Sequence, residues 1–167
     1  MIDFYTIDAA YLDFLRLIDS KVPNVRYEFH EKFFCGVVLT VGDNVLYYAP
    51  VSHFDRSQRT NFPIKDKDEG TIIATVRLCF MVPATYSVVK RVSVRRIYQS
   101  DPYYAALVDK EYQYCSKHET KLLKRAQAVY RIGCNKKHAL NSYCCDFKKL
   151  EEHYRTYDVS CGEQNQK

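Results

Sequence analysis

Three side chains with complementary chemistry stand close together in the middle of the sequence. Ser52, His53 and Arg56 place a hydroxyl, an imidazole and a guanidinium just after a stretch typical of a β-strand. Loops that leave a rigid sheet are common places for functional sites. Considered alone, His53 has a simpler interpretation as an ordinary loop histidine, because neighbours in sequence usually point apart.

One chemistry that residues of these types can perform is RNA cleavage without a metal ion. The sequence has no phosphate-binding glycine loop, no H-E-x-x-H or G-x-S-x-G motif and no acidic cluster suited to two metals. RNA can instead be cut by its own 2′-hydroxyl, which needs a proton acceptor, a proton donor and cations around the phosphorus. Lys32 and Tyr11 are further candidates, with a surface lysine and a packed helix residue as the simpler interpretations.

The charge distribution is compatible with an RNA partner. The formal net charge is +5, from 25 basic and 20 acidic residues, which alone is a weak indication. Clustered basic residues can neutralise phosphates and release counterions. The candidates for RNA contact are Lys90, Arg91, Arg95, Arg96, Lys117 and Lys121. A solvated helix face explains the later cluster equally well, because Asp109, Glu111 and Glu119 lie among or just before its lysines.

Hydrophobic periodicity predicts an α+β fold in a single domain. The predicted elements are a strand over 1–6, a helix over 8–20, a hairpin turning at 42–44, a loop over 50–70, strands over 71–82 and 86–97, a helix from 102 to 133 and a last helix from 146. The long helix must break near 116–119, because unbroken it would span about 45 Å. The strands suffice for a small antiparallel barrel or a strongly bent sheet. The domain is expected over 1–157, followed by a flexible polar tail over 158–167.

Two features predict a cytoplasmic protein. No apolar run approaches the ~20 residues of a membrane span, and the N-terminus lacks the order of a signal peptide.

Seven cysteines without a regular framework are typical of reduced thiols. A zinc site is the less favoured alternative, because adjacent cysteines strain a tetrahedral site and no C-x-x-C pair is present. The ligands of such a zinc site would be Cys134, His138, Cys144 and Cys145. We expect neither a metal nor another cofactor.

Short motifs spread over most of the chain are more specific. They are Phe4-Tyr5-Thr6-Ile7, Lys21-Val22-Pro23-Asn24, Phe34 to Leu39, Tyr48-Ala49-Pro50-Val51-Ser52, Leu78-Cys79-Phe80-Met81-Val82-Pro83, Pro102-Tyr103 and Leu150-Glu151-Glu152-His153-Tyr154-Arg155. Together they resemble the ToxN, AbiQ and CptN family of type III toxins.

The resemblance implies a fold, an activity and a partner. The fold would be a compact Kid/MazF-like (SH3-like) antiparallel β-barrel elaborated with helices. The activity would be a metal-independent endoribonuclease that leaves a 2′,3′-cyclic phosphate and a 5′-hydroxyl. The partner would be an RNA antitoxin, cut by the toxin from a repeat transcript into pseudoknots that occupy its groove in a closed hetero-oligomer. Release during phage infection would expose cellular or phage RNA to cleavage and cause abortive infection.

The family's site residues can be carried onto matching positions. Its helix-one tyrosine falls on Tyr11, the lysine before its core strand on Lys32 and the threonine of its turn on Ser52, while a further tyrosine falls nearest to Tyr27. We predict that Lys32 contacts the non-bridging oxygens and that Ser52 donates a hydrogen bond to the phosphate. Tyr11 either stacks on or hydrogen-bonds to RNA, or packs in the core.

Two positions depart from the family pattern. His53 stands where the family has a serine, and Asp55 stands where it has a lysine. We predict that Arg56 supplies the missing cation and that His53 transfers a proton, since histidine ordinarily titrates nearest to neutral pH. The charge reversal at Asp55 leaves open a structured-RNA-binding module without catalysis. A zinc-organised DNA-binding protein is the third class.

Overall fold

The computed structural model describes residues 1–24 and 32–157. The strands are β1 (Asp3–Ile7), β2 (Phe34–Val41), β3 (Val45–Ser52), β4 (Phe62–Lys65), β5 (Ile72–Val76), β6 (Val82–Pro83) and β7 (Val89–Arg91). The helices are α1 (Ala9–Ile18), α2 (Val94–Ser100), α3 (Pro102–Lys117), α4 (Glu119–Cys134) and α5 (Phe147–His153). Short 3-10 turns occupy Leu78–Phe80, Tyr86–Val88, Asn141–Tyr143 and Tyr154–Thr156. The predicted tail over 158–167 lies outside the described residues.

The strands form one antiparallel sheet centred on β3. The sheet order is β4-β5-β3-β2-β1-β7, and β6 pairs with β3 beside this path. β2 follows one edge of β3, while β6 and β5 pair with successive parts of the other edge. Among the described residues the sheet is open, with β4 and β7 at its ends. The predicted α+β class is therefore confirmed, and closure into a barrel is not.

The predicted hairpin between β2 and β3 is confirmed. Gly42 and Asn44 in its turn have φ values of +48° and +63°, a region that glycine and asparagine tolerate best. Further along, Gly36 lies against the ring of Tyr48 so closely that a Cβ atom would overlap it. From this hairpin β3 runs to Ser52.

Helix starts agree well with their local sequence signals. Asp8, Asp101 and Asp146 each accept a hydrogen bond from the backbone N–H three residues later, as N-caps do. The predicted break in the long helix is also present, because α3 and α4 meet at His118. None of the described helices is long and apolar enough to cross a membrane.

The predicted loop over 50–70 is wrong in part, because it contains β4. Phe62 and Ile64 in this strand are buried. Pro63 argued against a strand in the sequence, because proline is rare in sheets except on edge strands. The structure shows that β4 is an edge strand.

Two predicted strands are interrupted in the structure. The strand predicted over 86–97 is limited to the three residues of β7 and then becomes α2. Val94 and Ile97 are partly buried against the core, so the apolar residues taken as alternating also fit one face of a helix. The strand predicted over 71–82 is divided into β5, a 3-10 turn and β6.

Candidate active site

A groove of about 430 Å³ opens where β3 ends. Its walls come from the segment after α1, the segment before β2, the end of β3 and the segment after β5. The lining residues are Lys21, Pro23, Asn24, Lys32, Pro50, Ser52, Arg77 and Phe80. Three of these described residues are cations and none is a carboxylate, so the groove favours an anionic ligand.

The strand pairing places Lys32 opposite Ser52. The N–H of Val51 donates to the carbonyl of Phe33 at 2.8 Å, which continues the antiparallel pairing of β2 with β3. One further step along this register brings Lys32 across from Ser52, and both line the groove. Facing residues of antiparallel strands have Cβ atoms about 5 Å apart, so the ammonium and the hydroxyl can contact one small ligand.

Arg77 is a cation of this groove that the sequence analysis missed. Its guanidinium carbon lies 4.5 Å from the ring centre of Phe54 and 5.1 Å from that of Phe80. Its Nε is buried and has no hydrogen-bond partner among the residues that the structure describes. The two rings stabilise the charge at the groove. The available signal was one basic residue within the otherwise apolar end of the stretch over 71–82.

Lys21 is held beside the groove by the segment that precedes α5. Its Nζ donates to the carbonyl of Cys144 at 3.0 Å. The carboxylate of Asp19 accepts from the backbone N–H of Lys21 at 3.0 Å and from that of Asp146 at 2.7 Å. The segment after α1 is thus tied to α5, which fixes the wall of the groove that carries this ammonium.

His53 and Arg56 do not line the groove. The side chain of His53 is 62% exposed, and its Nε2 lies 3.6 Å from Oε1 of Glu111 on α3. Side chains alternate along an extended chain, so His53 and Ser52 face different sides. Arg56 is exposed, and its backbone carbonyl accepts from the side chain of Asn61 at 2.9 Å. Of the predicted serine, histidine and arginine, only Ser52 reaches the groove.

Tyr11 lies in the core rather than at the groove. It is 1% exposed, and its hydroxyl donates to the carbonyl of Pro83 at 2.6 Å. Burial raises the pKa of this hydroxyl far above its ordinary value. This placement supports the packing interpretation of Tyr11. Tyr27 lies outside the described residues.

The basic residues predicted to contact RNA are exposed, and none of them lines the groove. They lie on β7 and α2 and where α3 meets α4: Lys90, Arg91, Arg95, Arg96, Lys117 and Lys121. Arg91 forms an ion pair with Asp3 on β1. These cations are therefore surface groups distinct from the groove.

Comparison with known proteins shows the family of this chain. The sequence profile described as "Toxin ToxN, type III toxin-antitoxin system" matches residues 3–155. The chain belongs to this ToxN family. One relative, Endoribonuclease ToxN of Bacillus thuringiensis subsp. kurstaki, is 28% identical over 162 residues, which cover 92% of this chain and 83% of that protein. The family predicted from the motifs is confirmed.

Solved structures share the fold of this ToxN-family chain. A type III toxin described as selectively inhibited by a non-coding RNA pseudoknot superposes with a TM-score of 0.85 at 26% identity, covering 93% of this chain and 97% of that one. AbiQ, a lactococcal anti-phage endoribonuclease of a type III system, superposes with a TM-score of 0.82 at 22% identity, covering 94% and 98% of the two chains. The likeness to AbiQ shows the fold alone.

The cysteines of this ToxN-family chain lie mostly in its core. Those described are free thiols, namely Cys35, Cys79, Cys115, Cys134, Cys144 and Cys145. Burial raises the pKa of Cys144 to about 12, which keeps that thiol protonated. Among the described residues no three His, Cys, Asp or Glu side chains are grouped so as to hold a metal ion. The zinc alternative therefore has no support there.

Proposed function

We propose that this protein is the toxin of a type III toxin–antitoxin system and cuts RNA without a metal ion. The observation that carries the proposal is the groove in which Lys32 faces Ser52 while Arg77 lies against two aromatic rings. Membership of the ToxN family over residues 3–155 supports an endoribonuclease activity, since a relative in that family bears this name. The toxin acts as one domain over 1–157.

The groove holds the scissile phosphate. Lys32 and Arg77 pair with its non-bridging oxygens, and Ser52 donates a hydrogen bond to it. The 2′-oxygen of the RNA attacks the phosphorus, and the bond from phosphorus to the 5′-oxygen breaks. The proton of the 2′-hydroxyl passes to a base, and an acid protonates the departing 5′-oxygen. The products are a 2′,3′-cyclic phosphate and a 5′-hydroxyl.

His53 transfers a proton in this reaction. Its imidazole is exposed directly after Ser52, where it can meet an RNA strand that leaves the groove. Arg77 takes the cationic role predicted for Arg56, because Arg77 lines the groove and Arg56 does not. Arg56 contacts flanking phosphates instead.

A structured RNA antitoxin inhibits the toxin by occupying the same groove. The solved relative inhibited by a non-coding RNA pseudoknot supports this part of the proposal. The toxin cuts the pseudoknot from a repeat transcript and assembles with it into a closed complex. The toxin residues that contact this RNA are Tyr27, Lys90, Arg91, Arg95, Arg96, Lys117 and Lys121. Release during phage infection frees the nuclease for cellular or phage RNA and causes abortive infection.

We also interpret the sheet as an opened form of a Kid/MazF-like, SH3-like barrel. The pairing of β3 with β2 on one edge, and with β6 and then β5 on the other, supports this interpretation. Successive partners along one strand bend a sheet in the way that closure of a small barrel requires.

RNA cleavage in excess chelator tests the function. We expect Lys32→Ala and Arg77→Gln each to cleave about 100- to 1000-fold more slowly, as is typical when one preorganised donor is removed. Lys65→Ala is the matched control, because this exposed lysine lies on β4 and does not line the groove. Wild-type rates in both groove variants would refute the proposed site, and loss of wild-type cleavage in chelator would refute metal independence. RNA binding without cleavage or growth arrest would instead identify a binding module.

A further inference from the structure

A buried carboxylate faces the exposed imidazole at the end of β3. Glu111 lies in the middle of α3 and is 3% exposed. Its Oε1 lies 3.6 Å from Nε2 of His53 and has no hydrogen-bond partner among the described residues. Burial raises the pKa of Glu111 to about 7. A buried carboxylate oxygen without a hydrogen bond lowers stability, so its presence here calls for a functional explanation.

The groups around Glu111 leave His53 as its cationic partner. Tyr104, two turns away on the same face of α3, has its pKa raised to about 12 by burial and then by the negative charge of Glu111. The neighbouring Lys110 turns to Asp66, with its Nζ 3.2 Å from the carboxylate. Among the described residues, Glu111 forms its ion pair with the imidazole of His53.

We propose that Glu111 is a positioning residue that orients His53 for proton transfer to or from RNA. The carboxylate accepts the proton on Nε2, which leaves Nδ1 as the nitrogen that faces the substrate. Nδ1 either takes the proton of the 2′-hydroxyl or, when protonated, gives its proton to the departing 5′-oxygen. The Nε2 proton stays between His53 and Glu111 throughout. The carboxylate therefore orients the imidazole, and the imidazole alone exchanges a proton with the RNA. The inference rests on the proposed role of His53.

The contact with Glu111 explains how His53 can act in the same reaction as Ser52 although the two side chains face different sides. The ring is attached directly after the residue that lines the groove, and α3 holds it from the opposite side. The His53 side chain is 62% exposed, so an RNA strand passing over the end of β3 can reach the ring. An anchored ring loses less orientational freedom when RNA binds, and this lowers the barrier to proton transfer.

A double-mutant cycle separates positioning from general structure. Cleavage of an RNA substrate in chelator is measured for the wild type, Glu111→Gln, His53→Ala and the double variant. We expect Glu111→Gln to lower kcat at least tenfold with KM changed less than about twofold, since general acid–base catalysis contributes about 100- to 10,000-fold. In the His53→Ala background the same replacement should have little further effect on kcat. Glu152→Gln, an exposed change of the same chemistry on α5, is the control.

Titration of Glu111 by carboxyl ¹³C NMR gives a readout that does not depend on cleavage. His53→Ala should move the titration of Glu111 to higher pH, because a protonated imidazole stabilises the carboxylate. Equal losses of kcat from Glu111→Gln in both backgrounds, an unaffected Glu111→Gln enzyme, or a Glu111 titration indifferent to His53→Ala would each overturn the inference. If the wild type cleaves no RNA but the titration moves as expected, the pairing stands and the proposed function fails. If His53→Ala is fully active while Lys32→Ala is not, the positioning role is overturned and the groove is retained.

Discussion

Replacing Glu111 by Gln should make the protein more stable above neutral pH and should flatten the dependence of its stability on pH. Burial raises the pKa of this carboxyl from 4.5 to about 7 in the folded protein. The unfolded chain therefore releases the proton near pH 4.5, whereas the folded protein keeps it until about pH 7. Between these values the folded state binds more protons, so the free energy of unfolding falls as pH rises and levels off above about pH 7.

The pKa values determine the size of the effect. Each tenfold difference in proton affinity corresponds to about 1.4 kcal/mol, so the raised pKa costs about 3 kcal/mol of stability once the pH exceeds both values. Solvent does not reduce this cost appreciably, because Glu111 is 3% exposed. Glutamine has nearly the same shape and no charge. The Glu111→Gln variant should therefore match the wild type near pH 4.5 and exceed it by up to about 3 kcal/mol at pH 8.

Urea unfolding at several pH values from about 5 to about 8 measures this difference, with Glu152→Gln as the exposed control. The slope of stability against pH should be smaller in Glu111→Gln and unchanged in Glu152→Gln. An identical slope in the wild type and in Glu111→Gln would refute the burial argument. The expected combination, a variant that is more stable and yet cleaves RNA more slowly, separates a functional carboxylate from one needed for folding.

Three further results are expected. Tyr11→Phe should lower the free energy of unfolding in urea by about 1 to 3 kcal/mol, because the carbonyl of Pro83 would lose its hydrogen-bond donor. The variant should keep the wild-type cleavage rate, and a large loss of cleavage would show that Tyr11 acts in the site. Gly36→Ala should lower the free energy of unfolding by about 1 to 3 kcal/mol, because the added Cβ would overlap the ring of Tyr48. Unchanged thermal unfolding would contradict that packing. Lys121→Ala should reduce the slope of log affinity for a structured antitoxin RNA against log salt by about 0.7 to 0.9; an unchanged slope would exclude a phosphate contact there.

Local signals predicted most of the elements correctly. An aspartate before an apolar periodic stretch is enough to begin a helix, as at Asp8, Asp101 and Asp146, because the capping bond is made within four residues. Gly42 and Asn44 predicted the hairpin for the same reason. Where the local signal was ambiguous, as at Pro63 on the edge strand, the prediction was wrong, since only the sheet order shows which strand is an edge.

The sequence alone determined the family, the starts of α1, α3 and α5 and the central hairpin, because these depend on residues close in the chain or on motifs with a set spacing. Tertiary structure decided which cation completes the groove and what faces the histidine. Arg77 reaches the groove, and Arg56 does not, because β5 pairs with the end of β3. Glu111 meets His53 because α3 packs there. Such contacts join residues far apart in the chain, and their energies come from burial and register, which no local pattern records.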